Sequence, residues 1–280
     1  MSSFKSQHHV RSNSFPTRLH PLVQQCEEHL YRLGGSNAAS SSSITDKLSG
    51  LEDLQDCVDK LLQLPLTQQA FAQGREEKWV EELLDGSLRL LDLCSAAKDA
   101  VLHTKECARE VQSILRRTRG SEVGLENEVR KYMASRKVVK KAINNALKNL
   151  KGPSNKESET ILVSVLKEVQ VVSLAVFESL LSFVSGPKAQ SKISGWSLVS
   201  KLMQNKRIGC EEEEEAINAF AKVDNSLHCL MNETSKSSKK NVQNNLQNLE
   251  SCIQDFEGRL ECLFRRLIKF RVALLNILNN

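Results

Sequence analysis

The residues with the most recognisable chemistry in this sequence surround a serine near the N-terminus. Arg11 precedes Ser14 by three positions, and Pro16 follows it by two. An arginine at that distance suits a basophilic kinase. Phosphate on Ser14 adds about two negative charges, which the arginine cluster of a 14-3-3-type phospho-reader binds. We therefore predict a phosphorylation motif here; the alternative is an unstructured tail with an incidental Arg–Ser pair.

A second candidate site is the strongly basic segment 116–151, which holds eleven basic and three acidic residues. Apolar residues recur at helical spacing within it, which predicts an amphipathic helix over 125–150. Such a helix binds anionic lipid, calmodulin or nucleic-acid phosphates, or it faces solvent on the outside of a bundle. Nucleic acid is the least favoured partner, because Tyr132 is the only aromatic residue available for base stacking. The candidate basic surface consists of Arg130, Lys131, Arg136, Lys137, Lys140, Lys141 and Lys148.

The remaining sequence has no pattern typical of a catalytic or metal site. It contains no Gly-rich phosphate loop, no Gly-x-Ser-x-Gly elbow and no His-Glu-x-x-His motif. His228 and Cys229 are adjacent and point to different faces of a helix, and His103 and Cys107 are best explained as packing residues. We therefore expect a protein without enzymatic activity, cofactor, bound metal or small-molecule substrate.

The elements that must position these residues are helical, and the segment 242–277 is the one around which the chain is organised. Eleven of its apolar residues are spaced alternately by four and three positions, a mean repeat of 3.5 that is typical of a coiled-coil seam. This helix is about 54 Å long at 1.5 Å per residue, and its seam must be covered by upstream helices or by a second chain. The seam consists of Val242, Leu246, Leu249, Ile253, Phe256, Leu260, Leu263, Leu267, Phe270, Leu274 and Ile277.

Towards the C-terminal end of this helix, further apolar residues widen the stripe. We therefore expect that end to be buried more deeply, against more than one neighbour. The additional residues are Ile268, Val272, Leu275 and Leu278.

Composition predicts an all-α protein. Aromatic residues make up only 5% of the chain, and the 12 Gly and 5 Pro are too few for the turns of a sandwich or barrel. We predict a disordered basic tail at 1–20 and a single, elongated multi-helix bundle over 21–280. Polar, Ser-rich stretches predict flexible linkers at 34–44 and 232–241.

The most apolar stretch, 157–185, is predicted to be a buried bundle helix. A membrane span needs about twenty almost uncharged residues, whereas Lys167, Glu168 and Glu178 fall inside this stretch. No secretory signal opens the chain, and its eight cysteines form no Cys-x-x-Cys pair, so reduced thiols are expected. These features favour an intracellular protein in the cytoplasm, with the plastid and the nucleus left open because the tail overlaps in composition with transit peptides.

A series of recognisable segments occurs in order along the chain, at 9–18, 20–21, 64–69, 78–98, 115–117, 196–203, 210–214 and 263–278. Together they resemble a plant-specific family, domain of unknown function 241, which is described as BYPASS-related. The resemblance covers nearly the whole chain and implies an all-α plant protein linked to root and shoot development, without established catalytic residues. Together with the patterns above, it favours a non-enzymatic interaction or regulatory protein regulated through Ser14. The alternative is a peripheral membrane adaptor that binds anionic lipid through the helix 125–151.

Overall fold

The structure is a computed structural model, and every element in the part of the chain that it describes is an α-helix. The all-α prediction is therefore confirmed. The described residues are 20–34, 41–74, 77–117, 122–148, 160–186, 218–232 and 235–279. The helices are α1 (Pro21–Gly34), α2 (Ser41–Leu62), α3 (Pro65–Gln73), α4 (Lys78–Arg117), α5 (Glu122–Lys148), α6 (Ile161–Ser185), α7 (Ala219–Asn232) and α8 (Lys236–Asn279).

The two longest helices, α4 and α8, form an antiparallel frame. They contain 40 and 44 residues, so they are about 60 and 66 Å long. Lys98 pairs with Glu261 at 2.6 Å and Arg109 pairs with Glu250 at 3.1 Å. Rising residue numbers on α4 therefore meet falling numbers on α8, and these lengths make the bundle elongated.

The apolar seam of α8 is buried along its whole length, as its spacing predicts. All eleven seam residues are at most 9% exposed, from Val242 to Ile277. The helix packs against α2, α3, α4 and α7. The chain's own helices thus cover the seam, and a second chain is not needed to bury it.

The predicted deeper burial of the C-terminal end of α8 is wrong. Ile268, Val272 and Leu275 are 41%, 47% and 37% exposed, and only Leu278 packs against the core. The neighbouring helices cover the side of α8 that carries the seam. These three residues lie at other angles around the helix, so they remain at the surface.

Helix α3 fills a connection for which the sequence predicted no element. Pro65 occupies its first turn, where the missing backbone N–H is not needed for an intrahelical hydrogen bond. Phe71 of α3 is buried, and its ring meets the Trp79 ring edge-on at 5.0 Å between centroids. This contact attaches α3 to the start of α4.

Parts of the two predicted linkers, 34–44 and 232–241, are helical. Helix α2 begins at Ser41 and helix α8 begins at Lys236, inside these two segments. The start of α8 is capped by Ser235, whose Oγ accepts a hydrogen bond from the Ser238 backbone N–H at 3.1 Å. A serine at this position satisfies one of the unpaired N–H groups of the first turn, so the helix extends into the polar segment.

Helix α6 lies inside the bundle, in contact with α1, α2, α4, α5 and α7. Twelve of its 25 residues are buried, which confirms the prediction of a buried bundle helix. Among the described helices, none is long and apolar enough to cross a membrane. Where α6 meets α4, Gln170 donates a hydrogen bond to the Leu83 carbonyl at 2.7 Å and occupies the space beside Gly86.

The core is one continuous cluster to which all eight helices contribute. Cys26 of α1 and Cys57 of α2 lie in it as free thiols, with their sulfur atoms 3.0 Å apart. Burial raises the pKa of the Cys26 thiol, and the neighbouring Cys57 raises it further. Both cysteines therefore act as small packing residues between these helices.

Candidate interaction surfaces

Four of the seven cations predicted to form a basic surface on α5 are paired, and two of these pairs lie within the helix itself. Arg130 pairs with Glu126 at 2.6 Å, and Lys131 pairs with Glu128 at 3.1 Å. Ion pairs three or four residues apart contribute only about 0.2–0.5 kcal/mol to a helix. They do, however, cancel the positive charge that an anionic partner would meet at this part of α5.

Arg136 is buried, contrary to the prediction that it lies on the basic surface. Its side chain is 2% exposed; Nε donates to Oδ1 of Asp224 on α7 at 3.0 Å, and Nη2 donates to the Val184 carbonyl of α6 at 2.8 Å. Lys140 donates to the other Asp224 oxygen at 3.0 Å, and the Tyr132 hydroxyl donates to Oδ1 at 3.2 Å. Burial and the adjacent Asp224 raise the pKa of Tyr132, so its hydroxyl stays protonated as the donor. The four side chains form a polar network that joins α5, α6 and α7.

A signal in the sequence identifies position 136 as a core position. Apart from Glu128, the buried positions of α5 are separated alternately by four and three residues, and Arg136 occupies one of them. A cation at a core position predicts a buried acidic partner, because an unpaired buried charge is very unfavourable. The partner, Asp224, lies 88 residues away and cannot be located by spacing. The positions with this spacing are Leu125, Val129, Tyr132, Arg136, Val139 and Ile143.

What remains of the predicted basic surface is a row of three exposed lysines, Lys137, Lys141 and Lys148. Val138, beside this row, is 63% exposed. We call these four residues the α5 lysine row. The α5 lysine row therefore carries less positive charge than the predicted basic surface of seven cations.

His103 and Cys107 on α4 meet Ser135 on α5. The Ser135 hydroxyl lies 2.8 Å from Nε2 of His103 and accepts a hydrogen bond from the Cys107 thiol at 3.1 Å. The three side chains link two neighbouring helices. The packing role expected for His103 and Cys107 thus includes a polar contact that their spacing does not reveal.

A groove opens between α2, α3 and the C-terminal end of α8, with a volume of about 580 Å³. Its floor is apolar, and its rim includes Lys269, which pairs with Asp59 at 2.6 Å. The exposed Ile268, Val272 and Leu275 lie along the same part of α8, and Val272 also lines the groove. We call the groove and this row together the α8 groove. The floor consists of Leu62, Ala72, Val272, Ala273 and Ile277.

Two other predictions concern the phosphorylation motif and metal binding. Arg11, Ser14 and Pro16 lie outside the residues that the structure describes. Within the described ranges, no group of three or more His, Cys, Asp or Glu side chains is arranged to hold a metal ion.

A family model described as Protein BPS1 matches residues 47–277, from α2 to the end of α8. The chain belongs to the BPS1 family. This is the BYPASS-related plant family that the sequence resembles, and membership indicates a plant-specific developmental regulator. No curated protein matches the chain, and no solved structure matches it. The BPS1 match includes the Arg136–Asp224 network, the α5 lysine row and the α8 groove, whereas the Ser14 motif precedes it.

Proposed function

We propose that this BPS1-family protein is a non-enzymatic interaction protein that acts in root and shoot development, in the cytoplasm. The α8 groove is the observation that carries the proposal. Three large aliphatic side chains are exposed on the longest helix, next to a groove with an apolar floor. Exposed apolar surface rimmed by polar residues marks sites of protein–protein contact. The proposal includes no catalytic step, cofactor or metal.

The α8 groove fits an amphipathic helix from a protein partner. Ile268, Val272 and Leu275 are spaced as i, i+4 and i+7, so they form a straight apolar row along α8. The Lys269–Asp59 pair on the rim is neutral as a unit, and the neighbouring rim residues Gln63, Gln68, Gln69 and Asn276 are uncharged. A partner helix with apolar anchors and an uncharged polar border therefore complements this surface, whereas a highly charged helix does not.

Charge substitution in the exposed row tests this proposal. In I268D/L275D, two carboxylates face the partner while every seam residue of α8 is kept. Proteins co-purified from plant tissue with the wild type should be absent from this variant. They should be retained by the control V171D, which changes a 63% exposed valine on α6. Equal recovery with I268D/L275D and wild type would show that the α8 groove is not the contact surface.

We also propose that phosphate on Ser14 regulates these interactions through a 14-3-3-type reader. The support is the spacing of Arg11 and Pro16 around Ser14. After treatment with a basophilic kinase, a 14-3-3 protein should capture the wild type and the control S12A, but it should not capture S14A. Capture of S14A at the wild-type level would contradict regulation through Ser14. That result would not bear on the proposal for the α8 groove.

A second candidate function is that of a peripheral membrane adaptor, which the α5 lysine row favours. A lysine close to an anionic membrane contributes about 1 kcal/mol, so three lysines provide weak attachment by themselves. Flotation with phosphatidylcholine vesicles, with and without phosphatidylserine, tests this function. Salt-sensitive binding that is lost in K137Q/K141Q/K148Q supports the adaptor, and the absence of binding to phosphatidylserine vesicles rules it out.

A further inference from the structure

The end of the bundle where α4 finishes and α8 begins contains a polar cavity with a volume of about 330 Å³. It lies at the opposite end of α8 from the α8 groove and shares no residue with the α5 lysine row. We call it the α4–α8 cavity. Its lining residues are Arg109, Gln112, Ser113, Arg116, Arg117 and Glu250.

Charge pairing between the two long helices ends at this cavity. Beyond Glu250, residues 236–249 of α8 contain three lysines and no acid, while α4 continues to Arg116 and Arg117. Positive charge therefore accumulates around the cavity without acidic partners from α8. The ion pairs that precede it are Lys98–Glu261, Lys105–Glu257 and Arg109–Glu250.

A buried hydrogen-bond donor in the cavity wall lacks an acceptor. Gln112 is 6% exposed, and its Nε2 atom is buried without a hydrogen bond to any described residue. Buried amide N–H groups are nearly always paired. A donor that loses its hydrogen bonds to water on burial and gains no new acceptor is destabilising. Gln112 thus supplies a reason, independent of charge, to expect an acceptor group from a ligand.

We propose that the α4–α8 cavity binds a phosphate group of a phosphomonoester. Guanidinium groups form paired, charge-assisted hydrogen bonds with phosphate oxygens, and Arg116 and Arg117 are exposed at the cavity. The Ser113 hydroxyl and the Gln112 amide add neutral donors. Glu250 is engaged by Arg109 at 3.1 Å, so the lining keeps a net charge of +2 from three arginines and one glutamate.

The number of donors favours phosphate over a simple carboxylate, which presents only two oxygens. A cavity of this volume is large enough for a ring-sized group attached to the phosphate. A soluble phosphomonoester and the headgroup of a phosphoinositide lipid share this chemistry. The site is independent of the proposed function, because it uses neither the α8 groove nor Ser14.

Titration calorimetry of the full-length protein with inorganic phosphate and with inositol trisphosphate tests the free ligands. Flotation with phosphatidylcholine vesicles, with and without phosphatidylinositol bisphosphate, tests the lipid. Binding of the free probes alone assigns a soluble phosphomonoester, whereas flotation that inositol trisphosphate competes away assigns a lipid headgroup. Either pattern supports the site, and the absence of binding to all of these probes overturns it.

Three variants separate the cavity from general electrostatic attraction. R116Q/R117Q should raise the dissociation constant by about tenfold to a hundredfold, since two charge-assisted contacts are lost. Q112L keeps the charge and removes the buried donor, and it should raise the constant by about fivefold to tenfold. The control K60Q/K78Q removes two exposed lysines near the other end of the bundle, with Lys78 about 57 Å along α4 from Arg116. An equal loss of binding in K60Q/K78Q and R116Q/R117Q would overturn the proposal.

Discussion

At the scale of single residues, the Asp224 carboxylate is the shared hydrogen-bond acceptor of several polar side chains. Arg136, Lys140 and Tyr132 all donate to its carboxylate. A buried ion pair adds little net stability, because desolvation of the charges offsets their attraction. Loss of one partner, however, leaves the other charge buried and unpaired, which is strongly destabilising. The network therefore specifies how α5 and α7 dock more than it strengthens the bundle.

Asp224→Asn should lower the free energy of unfolding by about 3–5 kcal/mol, because it leaves the Arg136 guanidinium buried without a counter-charge. Urea denaturation followed by circular dichroism measures the change. In an Arg136→Met background, Asp224→Asn should lower the free energy of unfolding by much less, since no buried guanidinium remains. Equal costs in the two backgrounds would show that the ion pair is not the source of the loss.

Two glycines within long helices should respond in opposite ways to substitution by alanine. Alanine gains up to about 1 kcal/mol over glycine in a helix interior. At Gly258 a Cβ meets nothing within 4 Å, so Gly258→Ala should stabilise the protein by about 0.5–1 kcal/mol. At Gly86 a Cβ overlaps the amide of Gln170 and displaces its hydrogen bond to Leu83, which costs about 1–3 kcal/mol. Gly86→Ala should therefore lower the Tm while Gly258→Ala raises it; a higher Tm for both would contradict the close contact.

At the scale of elements, α8 combines a covered seam with a separate exposed row. The 3.5-residue repeat predicts the seam correctly because any neighbouring helix that covers one seam residue covers the next as well. The three exposed residues of the α8 groove also have helical spacing, yet no described helix lies over them. Helical periodicity thus identifies a face, and the positions of the other helices determine whether that face is buried.

The cap at the start of α8 leads to a prediction for the whole helix. Ser235→Ala removes the hydrogen bond to the Ser238 N–H and should lower stability by about 0.5–2 kcal/mol. Hydrogen exchange should accelerate in the first turn of α8. The control Ser237→Ala, at an exposed position in the same turn, should leave exchange unchanged. If the two variants exchange alike, Ser235 does not cap the helix.

At the scale of the whole molecule, ion pairs join helices that are distant in sequence. Glu82 on α4 accepts a hydrogen bond from Lys167 on α6 at 2.5 Å, and this contact holds the pKa of Glu82 below its usual value. A carboxyl group whose pKa is lowered in the folded state contributes stability above its unfolded pKa. That contribution is lost as the pH falls through the folded value.

Glu82→Gln should therefore destabilise the protein at neutral pH but have a diminishing effect as the pH falls below about 4.5. Urea denaturation from neutral pH to about pH 3 measures the difference between the variant and the wild type. In a Lys167→Met background, the pH dependence of this difference should weaken. A difference that stays constant over the whole pH range would contradict the assigned contact.

The sequence by itself determined that this BPS1-family chain is helical, which residues of α8 form its seam, and that the apolar stretch containing α6 is a bundle helix. These properties depend on the spacing of neighbouring residues along one helix, so local periodicity reveals them. The sequence analysis placed Arg136 on the basic surface, although the four-and-three spacing of α5 held a signal that position 136 is a core position.

Only the tertiary structure decided which charges are buried, paired or exposed. Arg136 finds Asp224 on another helix, and the alignment of α4 with α8 leaves Arg116 and Arg117 beyond the last interhelical ion pair. It also decided that Ile268, Val272 and Leu275 stay exposed beside a groove. The physical reason is that burial and charge pairing depend on how helices are placed against one another, and spacing within a single helix does not specify that placement.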